Sequence, residues 1–191
     1  LTIDLPKTMS MHFISLRRRL FTLIGVSIFT VASGCTVPDD TASISIIPIP
    51  SELNVGVGEF IFTNETVLAV DPDVETGAMM TAYIWADEFR AATGFELPLA
   101  DATQNQNREN VVFLEINETG TGSTESYELR VAPESIRITA PAANGLFYGL
   151  QTLKQLMPPE IETLDNDRSD DVEISWSVPA VDIQDAPRFA Y

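Results

Sequence analysis

The chain has 191 residues, 45% of them hydrophobic, with 28 Asp and Glu against 11 Lys and Arg, a formal net charge of −17. That balance excludes nucleic acid as a partner, because phosphate binding needs clustered basic side chains, while the apolar content excludes wholesale disorder and suffices for one domain with appendages. A single Cys and a single His exclude a disulfide, a zinc site built from several His or Cys ligands and a Ser–His–Asp triad, the more so because His12 lies in a segment read as removed.

Residues 1–34 read as an address rather than a fold. Arg17-Arg18-Arg19 leads into about a dozen apolar residues, Leu20 to Val31, and then into Ala32-Ser33-Gly34 before Cys35, the layout of a secretory signal. The apolar run falls short of the ~20 residues that a membrane-spanning helix needs. Residues 1–8 precede Met9 and Met11, either of which makes a natural start, and count as upstream sequence. The Ala-Ser-Gly-Cys ending resembles a bacterial lipoprotein signal, in which the Cys becomes the lipidated first residue. Cys35 is therefore the expected lipidation site and membrane anchor, and the expected location is the cell envelope, in the periplasm or at the outer membrane. Residues 35–45 then form a tether that holds the domain off the membrane. Setting the leader aside removes four basic residues and one acidic one, so the exported remainder is more acidic still.

The folded part is expected from residue 46. Ile46-Ile47-Pro48-Ile49-Pro50 is apolar but proline-rich, which limits it to an edge strand or an extended lead-in. Gly56 and Gly58 punctuate the approach to a short strand at Glu59–Phe62, and Thr66–Val70 is a second, stopped by Asp71-Pro72-Asp73. From Thr76 to Thr93, Ala78, Ala82, Trp85, Ala86 and Phe89 recur at three- and four-residue steps with Met79 and Tyr83 flanking them, which predicts an amphipathic helix ending at Gly94. Asp87 and Glu88 lie off that stripe and read as a solvated face rather than a catalytic pair.

Val111–Ile116 predicts a buried strand, followed by a Gly-Thr-Gly-Ser turn at 120–123 that lacks the Lys of a phosphate-binding loop. Tyr127–Val131 and Ser135–Thr139 alternate on either side of Ala132-Pro133-Glu134 and predict a hairpin: Tyr127, Leu129 and Val131 share one face, Ile136 and Ile138 another. Asn144 to Met157 predicts a second helix with Leu146, Leu150, Leu153 and Met157 on one stripe and Phe147 beside it, ended by Pro158-Pro159. The acidic stretch Glu160–Asp171 reads as a loop. Asp165, Asp167 and Ser169 imitate the start of a calcium loop, but Asp170 replaces its Gly and Trp176 stands where its closing Glu belongs, so no metal is expected there. Val181-Asp182-Ile183 is strand-like. Together these elements predict an α+β fold, a mainly antiparallel sheet with two helices packed on one face.

Three segments then resemble a known family. They are Ile47-Pro48-Ile49-Pro50; Tyr127-Glu128-Leu129 with Ile136–Ala140 running into Ala143-Asn144-Gly145-Leu146-Phe147-Tyr148-Gly149-Leu150-Gln151-Thr152-Leu153; and Ile183-Gln184-Asp185-Ala186-Pro187-Arg188-Phe189-Ala190-Tyr191. In this order they are similar to the β-N-acetylhexosaminidases of glycoside hydrolase family 20, over about residues 46–191. The resemblance implies that residues 46–160 are the non-catalytic α+β domain that precedes a (β/α)8 barrel in that family, and that 161–191 are an acidic loop and the lead-in to the barrel. It implies an exported glycosidase of glycan or chitin degradation, acting on terminal N-acetylglucosamine or N-acetylgalactosamine by a retaining, substrate-assisted mechanism without metal or organic cofactor. The catalytic Asp-Glu pair and the sugar-pocket aromatics would lie beyond Tyr191, so no catalytic or substrate-binding residue is assigned within the chain and the fragment alone is expected to be inactive. The alternative is a stand-alone carbohydrate-binding or adhesion module, which would need exposed aromatic platforms; Trp85 sits on the core stripe, leaving Trp176 as the residue free to stack on a sugar.

Overall fold

The computed structural model describes residues 44–72, 74, 76–118, 123–163 and 173–186. Cys35, the leader, the mimic of a calcium loop at 165–170 and the closing residues 187–191 lie outside them, as does most of the 120–123 turn.

One sheet of seven strands organises the fold, in the order β1-β7-β5-β6-β4-β2-β3. The strands are β1 (Glu52–Ile61), β2 (Val67–Val70), β3 (Leu99–Asp101), β4 (Val111–Ile116), β5 (Tyr127–Ala132), β6 (Ser135–Ala140) and β7 (Ser177–Asp185), and the helices are α1 (Thr76–Thr93) and α2 (Ala143–Leu156). The α+β class is the one expected. Antiparallel ladders join β1 to β7, β7 to β5 and β5 to β6, whereas the ladders β6–β4, β4–β2 and β2–β3 are parallel. The parallel part has a physical cause legible in its side chains. All of Val67–Val70 and Val111–Leu114 are buried, and strands covered on both faces read as continuous apolar runs rather than alternating ones.

Both helices pack on one face of this sheet and share its principal core. Trp85 stacks on Phe89 with ring centroids 5.3 Å apart, and Phe89 reaches Phe62 at 5.0 Å. Leu146, Leu150 and Leu153 of α2 are buried beside them. Gly94, at φ +76°, ends α1 as expected. A second, smaller cluster of Val67, Ala69, Val111, Phe113 and Ala102 covers the other face of the parallel half. In the antiparallel half that other face alternates into polar side chains, with Glu128 and Arg130 exposed between Tyr127, Leu129 and Val131.

Several local expectations change. The hairpin forms, but Leu129 pairs with Ile138 and Val131 with Ile136, so the two apolar sets share one face of the sheet instead of two. The strand at Glu59–Phe62 is the end of a ten-residue edge strand, β1. Gly56 and Gly58 lie inside it: Gly56 sits against Ala180 of β7, and Gly58, at φ +94°, falls where the register shifts between Val55 and Glu59. Residues 44–50 form no strand, which removes the edge strand and leaves the lead-in of the two readings of this stretch. The three-residue β3 was not foreseen, and β7, drawn from beyond residue 160, lies between β1 and β5. Pro159–Glu162 makes a 3-10 turn that buries Ile161, so the acidic stretch begins packed. Among the described residues no helix is long and apolar enough to cross a membrane.

Candidate functional site

Two adjoining concavities open at the end of the sheet where β5 begins and β7 finishes, and they share Tyr127, Asp185 and Ala186. The polar one, about 350 Å3, is lined by Ser51, Glu52, Asn117, Glu128, Thr139 and Gln184 among others. Asp185 organises its rim by accepting hydrogen bonds from both the Ser51 backbone N–H and the Ser51 hydroxyl, each at 3.0 Å. The larger one, about 590 Å3, runs between Ile46–Ile49 on one side and Phe147, Tyr148, Gln151 and Gln155 of α2 on the other. Gln155 fastens the two walls, its Oε1 accepting from the Ile47 N–H at 2.9 Å.

At the base of both lies Tyr127, 6% exposed, its hydroxyl 2.6 Å from the Thr152 hydroxyl. Burial pushes the Tyr127 phenol above its ordinary pKa, the Asp185 charge adds to this, and the Thr152 hydrogen bond opposes it. The group therefore stays a neutral hydrogen-bonding phenol at physiological pH. Elsewhere Asp101 is held below the usual carboxylate range, chiefly by the Thr103 hydroxyl at 2.6 Å, and its role is to cap the short turn Ala102–Gln104.

The groove results from the local sequence of α2. Gly145 and Gly149 let the helix lie against β5 and β6, since a Cβ at 149 would stand 2.5 Å from the Ile138 Cγ2. Leu146, Leu150 and Leu153 then point to the core while Phe147 and Tyr148 turn outward, 46% and 44% exposed. The three- and four-residue spacing located the inward stripe with Phe147 beside it, but not the outward pair that Phe147 makes with Tyr148. Their signal was apolarity on both sides of the helix, repeated in α1 by Met80, Tyr83 and Ile84, all about half exposed.

Asp87 and Glu88 are a solvated face, as expected: Asp87 pairs with Arg90 at 2.6 Å and Glu88 with Lys154 at 3.7 Å. The crevice beside Glu88 holds only about 10 Å3, room for no sugar. Trp176 is corrected. It is 6% exposed and part of the principal core, and its carbonyl accepts from the Phe62 N–H at 2.8 Å, so it offers no platform to a ligand. No group of three or more metal-binding side chains occurs among the described residues. Since the chain's one His and one Cys fall outside them, those residues hold no imidazole or thiol for nucleophilic catalysis.

The described residues thus form a seven-stranded α+β layer on which α2 is seated through its glycines. Residues 43–186 match the family model described as glycosyl hydrolase family 20, domain 2. The chain belongs to that family, as this non-catalytic domain. Among curated proteins it is similar to a β-hexosaminidase of Porphyromonas gingivalis, 29% identical over 155 residues that make up 81% of this chain and 19% of the relative. Among solved structures it resembles the family 20 β-N-acetylhexosaminidase of Streptomyces coelicolor A3(2), with TM-score 0.64 and 31% identity over 76% of this chain and 27% of that one. The N-acetyl-β-hexosaminidase of Streptomyces plicatus, solved with thio-NAglucal, gives TM-score 0.64 and 32% identity over the same shares. The chain thus spans about a fifth to a quarter of the length of these relatives.

Proposed function

We propose that this chain is the amino-terminal supporting domain of an exported β-N-acetylhexosaminidase and performs no chemistry by itself. The observation that carries the reading is the match of residues 43–186 to domain 2 of the family, in relatives whose greater part lies elsewhere. The intact enzyme would release terminal N-acetylglucosamine or N-acetylgalactosamine from glycans such as chitin fragments. Its catalytic Glu would protonate the leaving oxygen while the substrate's own acetamido oxygen attacks the anomeric carbon, steadied by the neighbouring Asp. Neither carboxylate belongs to this domain. The leader and Cys35 would place the enzyme in the cell envelope on a lipid anchor.

The test compares the 191-residue chain with the longer polypeptide encoded by the same gene on a chromogenic β-N-acetylglucosaminide. Turnover by the longer polypeptide alone supports the reading. Turnover by the 191-residue chain, or none by the longer polypeptide on either the glucosaminide or the galactosaminide, overturns it. For the anchor, labelled fatty acid should enter the protein in bacterial cells and be lost with Cys35→Ser; equal labelling of both forms would remove Cys35 as the site.

A further inference from the structure

We propose that Asn144 is a site of spontaneous covalent modification: when the start of α2 opens, Asn144 converts to aspartate and isoaspartate, and the isoaspartate form no longer seats the helix. The site follows from a packing demand. Gly145 is buried, and a Cβ there would overlap both the Ser126 carbonyl oxygen and the Ala140 Cβ, so only glycine fits between them. The residue before it is an exposed asparagine, and 144–145 is the one Asn-Gly pair in the chain. Because glycine has no side chain to shield its nitrogen, this is the asparagine sequence most open to attack by the following backbone amide.

The reaction needs water as its only co-reactant. The Gly145 nitrogen gives up its proton and bonds to the Asn144 side-chain carbonyl carbon; the side-chain carbon–nitrogen bond breaks, and ammonia departs from a five-membered succinimide. Water then opens the ring at one of its two carbonyls. Breaking the new bond to the side-chain carbon gives aspartate, whereas breaking the original backbone bond routes the chain through the side chain and gives isoaspartate.

The fold withholds both requirements, a free amide and a reachable carbonyl, while α2 is seated. A helix leaves its first N–H groups without partners of its own, and Ala142 caps α2 with no side-chain hydrogen bond. The Gly145 N–H instead donates to the carbonyls of Thr124 and Ala142, each at 3.1 Å. These bonds hold Asn144 at helical dihedrals, from which the Gly145 nitrogen does not reach the side-chain carbon. The two products then differ in consequence. Aspartate keeps the backbone, and a negative charge in the first turn suits the helix macrodipole. Isoaspartate lengthens the backbone by one methylene immediately before Gly145, where the contacts with Ser126 and Ala140 leave no slack.

The experiment incubates the 191-residue chain at pH 8, in buffer and in guanidinium chloride, and follows every asparagine by mass spectrometry of its peptides. In the denaturant Asn144 should convert faster than any other asparagine. In buffer it should convert at least about tenfold more slowly than in the denaturant, because reaction there waits on local opening. The isoaspartate form, separated by chromatography, should have a lower Tm than the unaltered chain, whereas Asn144→Asp should match or exceed the unaltered chain. Equal rates in the two solutions, a faster asparagine elsewhere in the unfolded chain, or an isoaspartate form as stable as the unaltered chain would overturn the proposal. So would a destabilised Asn144→Asp, which would tie the loss to the new charge rather than to the lengthened backbone.

Discussion

A Cβ placed on Gly145 would stand 2.2 Å from the carbonyl oxygen of Ser126. The start of α2 is pressed against the residue that leads into β5, and one turn later Gly149 meets Ile138 of β6 in the same way. Alanine favours a helix interior over glycine by about 1 kcal/mol, but forcing a methyl into a filled contact costs about 1–3 kcal/mol or more. Gly145→Ala and Gly149→Ala should therefore both destabilise. Gly145→Ala should be the worse, because the atom it meets is backbone and cannot rotate aside. Urea denaturation of the 191-residue chain checks the order; a midpoint for Gly145→Ala at or above that of the unaltered chain would contradict it.

Much of this was legible in the sequence because local signals and tertiary demands agree. The Ala78–Phe89 stripe located α1 to the residue, and Pro133-Glu134 between alternating runs located the hairpin. What failed, failed for non-local reasons. Nothing local in Gly56 or Gly58 shows that β1 continues through them, because their tolerance comes from Ala180 and from a register shift opposite β7. Leu99–Asp101 becomes a strand because β2 offers it a parallel edge. Trp176 looked free because it follows an acidic stretch, yet it belongs to the principal core, and its carbonyl accepts from the N–H of Phe62, more than a hundred residues earlier. The groove was invisible for the same reason, since its walls come from residues 46–49 and from α2.

Tyr127 and Thr152 share a buried hydrogen bond of 2.6 Å, and Tyr127→Phe should cost about 1 kcal/mol at neutral pH. The pH dependence carries a sign. Burial raises the folded-state pKa of Tyr127 above its ordinary value near 10, so the folded state holds its proton longer than the unfolded one. That contribution is fully present below about pH 10 and is lost as pH rises through the folded-state pKa. Thermal unfolding at pH 8 and pH 11 should therefore show a smaller alkaline loss for Tyr127→Phe than for the unaltered chain. A larger loss in the variant would contradict the burial of this phenol.

Trp176 separates a structural role from a recognition role. It is part of the principal core, and truncating a buried aromatic to alanine costs about 3–5 kcal/mol. Trp176→Ala should lower the urea midpoint steeply, while Trp176→Phe, which keeps most of the volume, should cost much less. A Trp176→Ala chain as stable as the unaltered one would return Trp176 to the surface and reopen the sugar-stacking role.

Electrostatics should act against this fold rather than for it. The chain carries 28 acidic and 11 basic residues. The ion pairs Arg90–Asp87 and Arg130–Asp182 involve exposed side chains, and such pairs are worth at most about 1 kcal/mol each. Repulsion among the unpaired carboxylates is longer-ranged, and compaction strengthens it. Raising NaCl from ~10 mM to ~150 mM shortens the screening length from about 30 Å to about 8 Å, which weakens the distant repulsions more than the close attractions. The Tm of the 191-residue chain should therefore rise over that range. Chloride is the salt to use, because sulfate would also strengthen apolar burial and confuse the sign. A Tm that falls with NaCl would mean that the close pairs outweigh the net charge, and the acidic surface would then have to be arranged so that its carboxylates face cations rather than one another.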